Sequence, residues 1–212
     1  MNQVRLRGFH AATRFVQRRT RRRRMELFQR LMAPGPNSRI LDLGGTPGLW
    51  SYIREPLEIT ILNLPGNTGR GIPTHHRVTF VEADACATLP YADDEFDIVF
   101  SNSVIEHVGA DDRQAAFAAN ARRIGRTYCV QTPAPWFPIE AHTGMPFWWL
   151  YPEPVRRRIL AIWHTKLPAW SEAMADTRVL TRRRMAALFP DARIYTESLA
   201  GIPKSYTAFA RG

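Results

Sequence analysis

The chain has 212 residues, of which 45% are hydrophobic, and a formal net charge of +10. That length can bury a substantial core. No apolar run is long enough to span a membrane as a helix, the richest being Pro146 to Tyr151. The N-terminus lacks the apolar stretch of a signal peptide, and the two cysteines, Cys86 and Cys129, have no metal-ligand spacing. Free thiols in a reducing, cytoplasmic compartment are therefore expected.

The charge is uneven. Nine arginines fall in the first 25 residues, no acid precedes Glu26, and only two of the 29 basic residues are lysines. Residues 10–32 are expected to be helical, ending at Pro34-Gly35-Pro36, with Phe15, Met25, Phe28 and Leu31 on the core. Arg18, Arg19 and Arg21 to Arg24 then form either a solvated face or a basic face for RNA, an anionic membrane surface or an anionic substrate. The skew toward arginine can follow genome composition, so it is not itself a nucleic-acid signal. A transit peptide has a similar composition, but this segment runs straight into the first strand.

Strands are expected at 39–43, 58–63, 78–82, 97–101 and 127–132, with helices at 49–54 and 112–123. The 112–123 helix would pack through Ala115, Ala116, Phe117 and Ala119. Residues 66–77 are polar and contain glycine, so they read as a loop where a crossover helix is usual. Six aromatic residues crowd 136–151. Helices at 153–164 and 181–188 follow, and strands at 192–196 and 206–210 form a closing antiparallel hairpin. The expected architecture is one domain over 1–212, a Rossmann-like doubly wound α/β fold. Its seven-stranded sheet is mostly parallel, with an antiparallel edge hairpin. Residues 1–36 form a basic N-terminal helix, and 133–180 an insertion or lid on the acceptor side.

In such sheets a ligand lies beyond the carboxyl ends of the strands. Gly44, Gly45 and Gly48 follow strand 1, in Leu41-Asp42-Leu43-Gly44-Gly45-Thr46-Pro47-Gly48. Strand 2 ends at Asn63, strand 3 leads to Asp84-Ala85, strand 4 ends in Ser101-Asn102-Ser103, and strand 5 ends at Gln131-Thr132. One polar group per strand end makes a nucleoside-shaped site. Asn63 can bond ribose hydroxyls, through both amide atoms, and Asp84 can accept from an adenine amino group. The spacing of the glycines does not match the Gly-x-Gly-x-x-Gly of dinucleotide sites.

With the block Leu89 to Val108, which contains Phe96-Asp97-Ile98-Val99 and Val104-Ile105-Glu106-His107-Val108, these motifs resemble class I S-adenosylmethionine-dependent methyltransferases of the "type 11" group, over residues 38–132. The resemblance implies S-adenosyl-L-methionine as cofactor. Gly44, Gly45 and Gly48 would approach its methionine part, Asn63 its ribose, and Asp84 with Ala85 or Cys86 its adenine. Asp42, Ser101 and Asn102 at the same strand ends complete the expected set. Two departures stand out: Thr46 replaces a common glycine, and Asn63 replaces a common acid.

A hydroxyl or amine acceptor must lose a proton, so a general base is expected near the transferred methyl. The candidates are His142, Glu140 and His107, with Glu106 beside the last. The resemblance favours a structural role for the Glu106-His107 pair, since the family carries it in enzymes with unrelated acceptors. His75-His76 lack a third ligand, and no metal is expected. The expected reaction is methyl transfer to a small or amphipathic acceptor such as a sugar, a quinone-like or a lipid-linked metabolite. An RNA methyltransferase and a degenerate, non-catalytic binding protein are the alternatives.

Overall fold

The computed structural model describes residues 3–66, 75–140, 145–167, 171, 174 and 177–210, with only the backbone path given for 3–17. The order is α1 (Gln3–Met32), β1 (Arg39–Leu43), α2 (Pro47–Trp50), β2 (Glu58–Asn63), β3 (Arg77–Glu82), β4 (Phe96–Asn102), α3 (Asp111–Ile124), β5 (Gly125–Pro133), α4 (Glu153–Lys166), α5 (Arg182–Leu188), β6 (Arg193–Leu199) and β7 (Ile202–Ala210). One seven-stranded sheet runs β3-β2-β1-β4-β5-β7-β6. Its first five strands are parallel, and β7 pairs antiparallel with both β5 and β6.

Each face of the sheet has its own core. On one side Leu41, Leu43, Val99 and Val130 meet Phe117 and Ile124 of α3 and Met185 and Leu188 of α5. On the other, Ile40, Ile61 and Phe100 meet Met25 and Phe28 of α1 and Trp50 of α2. Phe28, Trp50 and Phe100 stand edge to face at 5.0–5.6 Å, an arrangement aromatic quadrupoles favour. A third small core, in which Trp148 stacks on Trp163, holds α4.

Strands β1 and β2 have the expected bounds. Helix α1 is longer than expected, beginning at Gln3, while α2 is a single turn from Pro47 rather than a helix over 49–54. Pro47 has a fixed φ suited to a first helical turn, which explains the earlier start. The packing face of α3 also differs. Ala115 and Ala119 are exposed, while Gln114, Ala118, Asn120 and Ala121 join Phe117 inside. Two buried amides on that face hold the backbone of other segments. Asn120 donates to the carbonyls of Ala85 and Ala87, and Gln114 to that of Arg178.

Among the described residues no helix covers the β2–β3 crossover. His76 supplies a local strut there. Its Nδ1 accepts the N–H of Leu57 and its Nε2 donates to the carbonyl of Trp50, so α2 and the start of β2 are tied together.

Candidate functional site

The strand order reverses between β1 and β4, and a cavity of about 280 Å³ opens at the carboxyl ends there. Gly44, Asn63, Asp84, Ser103, His107 and Arg113 line it.

Gly44 has φ +78°, and a Cβ on it would come within 2.6 Å of Val104 Cγ1. Only glycine lets the chain turn this tightly off β1. Beneath the turn Asp42 is fully buried, and the indole of Trp50 donates to its Oδ2 over 2.7 Å. Burial pushes the Asp42 carboxyl up to about 7, and the indole bond opposes the shift. A Cβ on Gly45 would overlap the Asp42 carboxylate. Ser101 is buried too, and its hydroxyl donates to the carbonyl of Leu43. Asp42 and Ser101 therefore support the floor of the cavity, whereas the sequence reading put them with the cofactor ligands. The reason is pleat: their side chains turn into the sheet's packed faces. Gly45 and Gly48 also stay out of the wall. The carbonyl of Gly45 accepts from Asn63 Nδ2, and that of Gly48 accepts from the Ser51 hydroxyl.

The Asn63 side chain is oriented by one bond, Nδ2 donating to the Gly45 carbonyl over 2.9 Å; the same amide carries a second Nδ2 hydrogen and the acceptor Oδ1. Asp84 is held on three sides. The Cys86 N–H donates to its Oδ1, and Arg113 Nη2 reaches both oxygens at 3.1 and 2.8 Å. Arg113 is itself fixed by Nε donating to the Val108 carbonyl. The guanidinium holds Asp84 below the usual carboxylate range. Ala85 completes this end of the wall.

At the other end α1 reaches the site. Arg24 Nη1 donates to Asn102 Oδ1 at 3.0 Å and to Ser103 Oγ at 3.4 Å. The Ser103 hydroxyl in turn donates to Gln131 Oε1. Burial pulls the Arg24 guanidinium below its ordinary value, with the Glu197 and Glu106 carboxylates opposing. Asn102 thus serves as an anchor for α1. The run of arginines hid Arg24 from the sequence reading, and Arg113 carries no local motif that marks it. The available signal was position: Arg24 lies one turn before Phe28, on the buried stripe.

Of the base candidates, His107 lines the cavity, its Nδ1 3.1 Å from the Thr177 hydroxyl. Glu106 is buried, and its Oε2 accepts from Thr132. Glu140 is buried in the loop after β5, its N–H donating to the Met145 carbonyl, and it is not in the cavity wall. His142 lies outside the described residues. Among the described residues no three His, Cys, Asp or Glu side chains are grouped to hold a metal.

Residues 65–127 match the family model described as a methyltransferase domain. Solved structures align over most of the chain. Magnesium protoporphyrin IX methyltransferase from Synechocystis PCC 6803, with bound SAH, is 11% identical at a TM-score of 0.53, covering 92% of this chain and 84% of its own. The fold is that of the class I methyltransferases. The N-terminal domain of EvdMO1 with SAH bound is 16% identical at a TM-score of 0.53, covering 91% and 81%. An O-methyltransferase family protein from Burkholderia thailandensis is 13% identical at 0.51, covering 86% and 53%. No curated protein sequence matches this chain. In methyltransferase terms, the switch-point cavity occupies the end of the sheet where this fold carries its ligands.

Proposed function

We propose that the chain is an S-adenosylmethionine-dependent methyltransferase acting on a small or amphipathic acceptor. The observation that carries this reading is the succession of groups along one cavity: Gly44 after β1, Asn63 at the end of β2, Asp84 after β3 and Ser103 after β4. The wall fits the cofactor chemically. The Asp84 carboxylate, kept ionised by Arg113, suits an exocyclic amine. The Asn63 oxygen suits a ribose hydroxyl, and Gly44 leaves the backbone uncovered for the methionine part. Asp84 and Asn63 are the residues that would hold it. When bound, S-adenosylmethionine supplies an electrophilic methyl group on a sulfonium.

The chain's own contribution is binding, alignment and exclusion of water. An acceptor entering past Ser103 meets His107, whose imidazole can take its proton while the Thr177 hydroxyl orients the ring. Of the other expected bases, Glu140 is buried away from the cavity wall, and His142 lies outside the described residues. The neighbours with bound SAH support this choice of cofactor.

Calorimetric titration with S-adenosylmethionine tests the proposal: saturable binding at one site is expected, and no heat at millimolar cofactor would favour a degenerate fold. A second reading, RNA methylation, is favoured by the groove that Arg18, Arg19, Arg22 and Arg23 line on α1. It predicts RNA binding that weakens steeply with salt and is lost on removing residues 1–24.

A further inference from the structure

We infer that the acceptor-side rim docks on the surface of an anionic phospholipid membrane. Six large apolar side chains stand at this end of the sheet: Trp136, Ile139, Phe147 and Leu150 on the segment after β5, and Leu199 and Ile202 at the β6–β7 turn. They are 38–57% exposed. Single exposed apolar residues are ordinary, but six on two joined segments at one end of the sheet mark an interaction surface.

The cluster is held together by backbone bonds. Phe147 N–H donates to Pro138, Glu140 N–H to Met145, and Ile139 bridges Pro146, which makes a small antiparallel loop. That loop is joined to the hairpin, because Ala134 N–H donates to Lys204 and Pro133 pairs with Ser205. These residues lie at the carboxyl end of β5, in the segment after it, or around the β6–β7 turn, which share one end of the sheet.

Basic charge collects at the same end. Arg156, Arg157 and Arg158 stand in the first turns of α4, which starts at Glu153, with Arg157 paired to Glu153 and the Arg156 guanidinium over the Trp149 ring at 5.7 Å. Helix α1 runs antiparallel to the strands, its Arg24 level with the end of β4 and its Gln29 bonded to Glu55 farther down. The exposed Arg18, Arg19 and Arg21 to Arg23 precede Arg24, so they sit toward the carboxyl ends. Four of them line an open groove of about 810 Å³.

Apolar side chains that enter the headgroup–acyl boundary, flanked by arginines that meet lipid phosphates, make an interfacial surface. Ile139, Leu150, Leu199 and Ile202 offer RNA neither a stacking ring nor a hydrogen bond, which decides for lipid. Among the described residues no helix is long and apolar enough to cross a membrane. If the methyl-transfer reading also holds, the acceptor is an amphipathic molecule presented from the bilayer.

The test is flotation of the full chain with vesicles of phosphatidylcholine alone and of phosphatidylcholine with phosphatidylglycerol. Binding to the anionic vesicles only, weakening as salt rises, is expected. The combined variant Trp136→Ser, Phe147→Ser, Leu150→Ser should lose at least tenfold in vesicle affinity while retaining its circular dichroism spectrum. Arg156→Gln, Arg157→Gln, Arg158→Gln should flatten the salt dependence. No flotation with anionic vesicles at low salt, or undiminished binding by the apolar variant, overturns the proposal. So does tight binding to an RNA duplex with vesicles ignored. Cofactor calorimetry on the same preparation separates the two readings: vesicle binding without cofactor binding keeps the membrane surface and removes the enzyme.

Discussion

Arg24 Nη1 donates to Asn102 Oδ1 over 3.0 Å, which fastens the basic N-terminal helix to the carboxyl end of β4. The bond lies beside the wall residue Ser103, which the same guanidinium reaches. Replacing Arg24 with Met removes both bonds and leaves half-buried acceptors without that donor. Urea denaturation should show a loss of roughly 1–3 kcal/mol. Arg24→Lys should not restore it, because one ammonium cannot reproduce the planar fork. An unchanged midpoint in both variants would mean that α1 is held by Met25 and Phe28 alone.

Arg113 and Asp84 are both partly exposed, so solvent screens their pair and it adds little to stability. Its effect belongs to pH instead. Arg113 keeps Asp84 ionised to lower pH than an ordinary aspartate. In Arg113→Gln, cofactor affinity near neutral pH should fall only a few-fold, and its decline on acidification should begin at higher pH than in the wild type. Titration across acidic buffers checks this, and coincident profiles would contradict it.

Two buried groups give stability opposite dependences on pH. Asp42 has its folded pKa raised from 3.8 to about 7, so the stability its proton contributes is complete below 3.8 and is lost as pH rises through 7. His76 has its pKa lowered from 6.5, mainly by burial, so its contribution is present above 6.5 and is lost as pH falls through the folded value. Asp42→Asn removes the first dependence and keeps an acceptor for the Trp50 indole. Its thermal midpoint should exceed the wild type's at about pH 8, with the gap closing toward about pH 5. A gap independent of pH would show that Asp42 does not titrate in this range.

Gly45→Ala places a methyl group on the Asp42 carboxylate. A loss on the order of 3 kcal/mol or more is expected, measured by denaturant unfolding. Combining it with Asp42→Ala should recover part of that loss. Additive losses would place the strain elsewhere.

The strands were legible because buried parallel strands are short apolar runs with turn residues at their ends, as at Ile40 to Leu43. The closing hairpin was legible for a similar reason, whereas most of the expected 66–77 loop lies outside the described residues. The face of α3 was not: Gln114 and Asn120 are buried to bond the carbonyls of other segments, and no hydrophobic period records that. At the site, Gly44, Asn63, Asp84 and Ala85 could be read from strand ends, and all four line the cavity. Asp42 and Ser101 sit at the same ends but point into the packed faces, a distinction set by pleat and not by motif. Arg24 was marked only by its place on the buried stripe, and Arg113 by nothing local, because their roles depend on partners 78 and 29 residues away.

The central claim is that the cavity at the carboxyl ends of β1 to β4 binds S-adenosylmethionine through Asp84. Parallel calorimetric titrations of the wild type and of Asp84→Ala, with its fold verified by circular dichroism, test it most directly. One site in the wild type and an affinity at least tenfold lower in the variant, about 1.4 kcal/mol, is the predicted result. No binding by the wild type, or equal binding by both proteins, would contradict it.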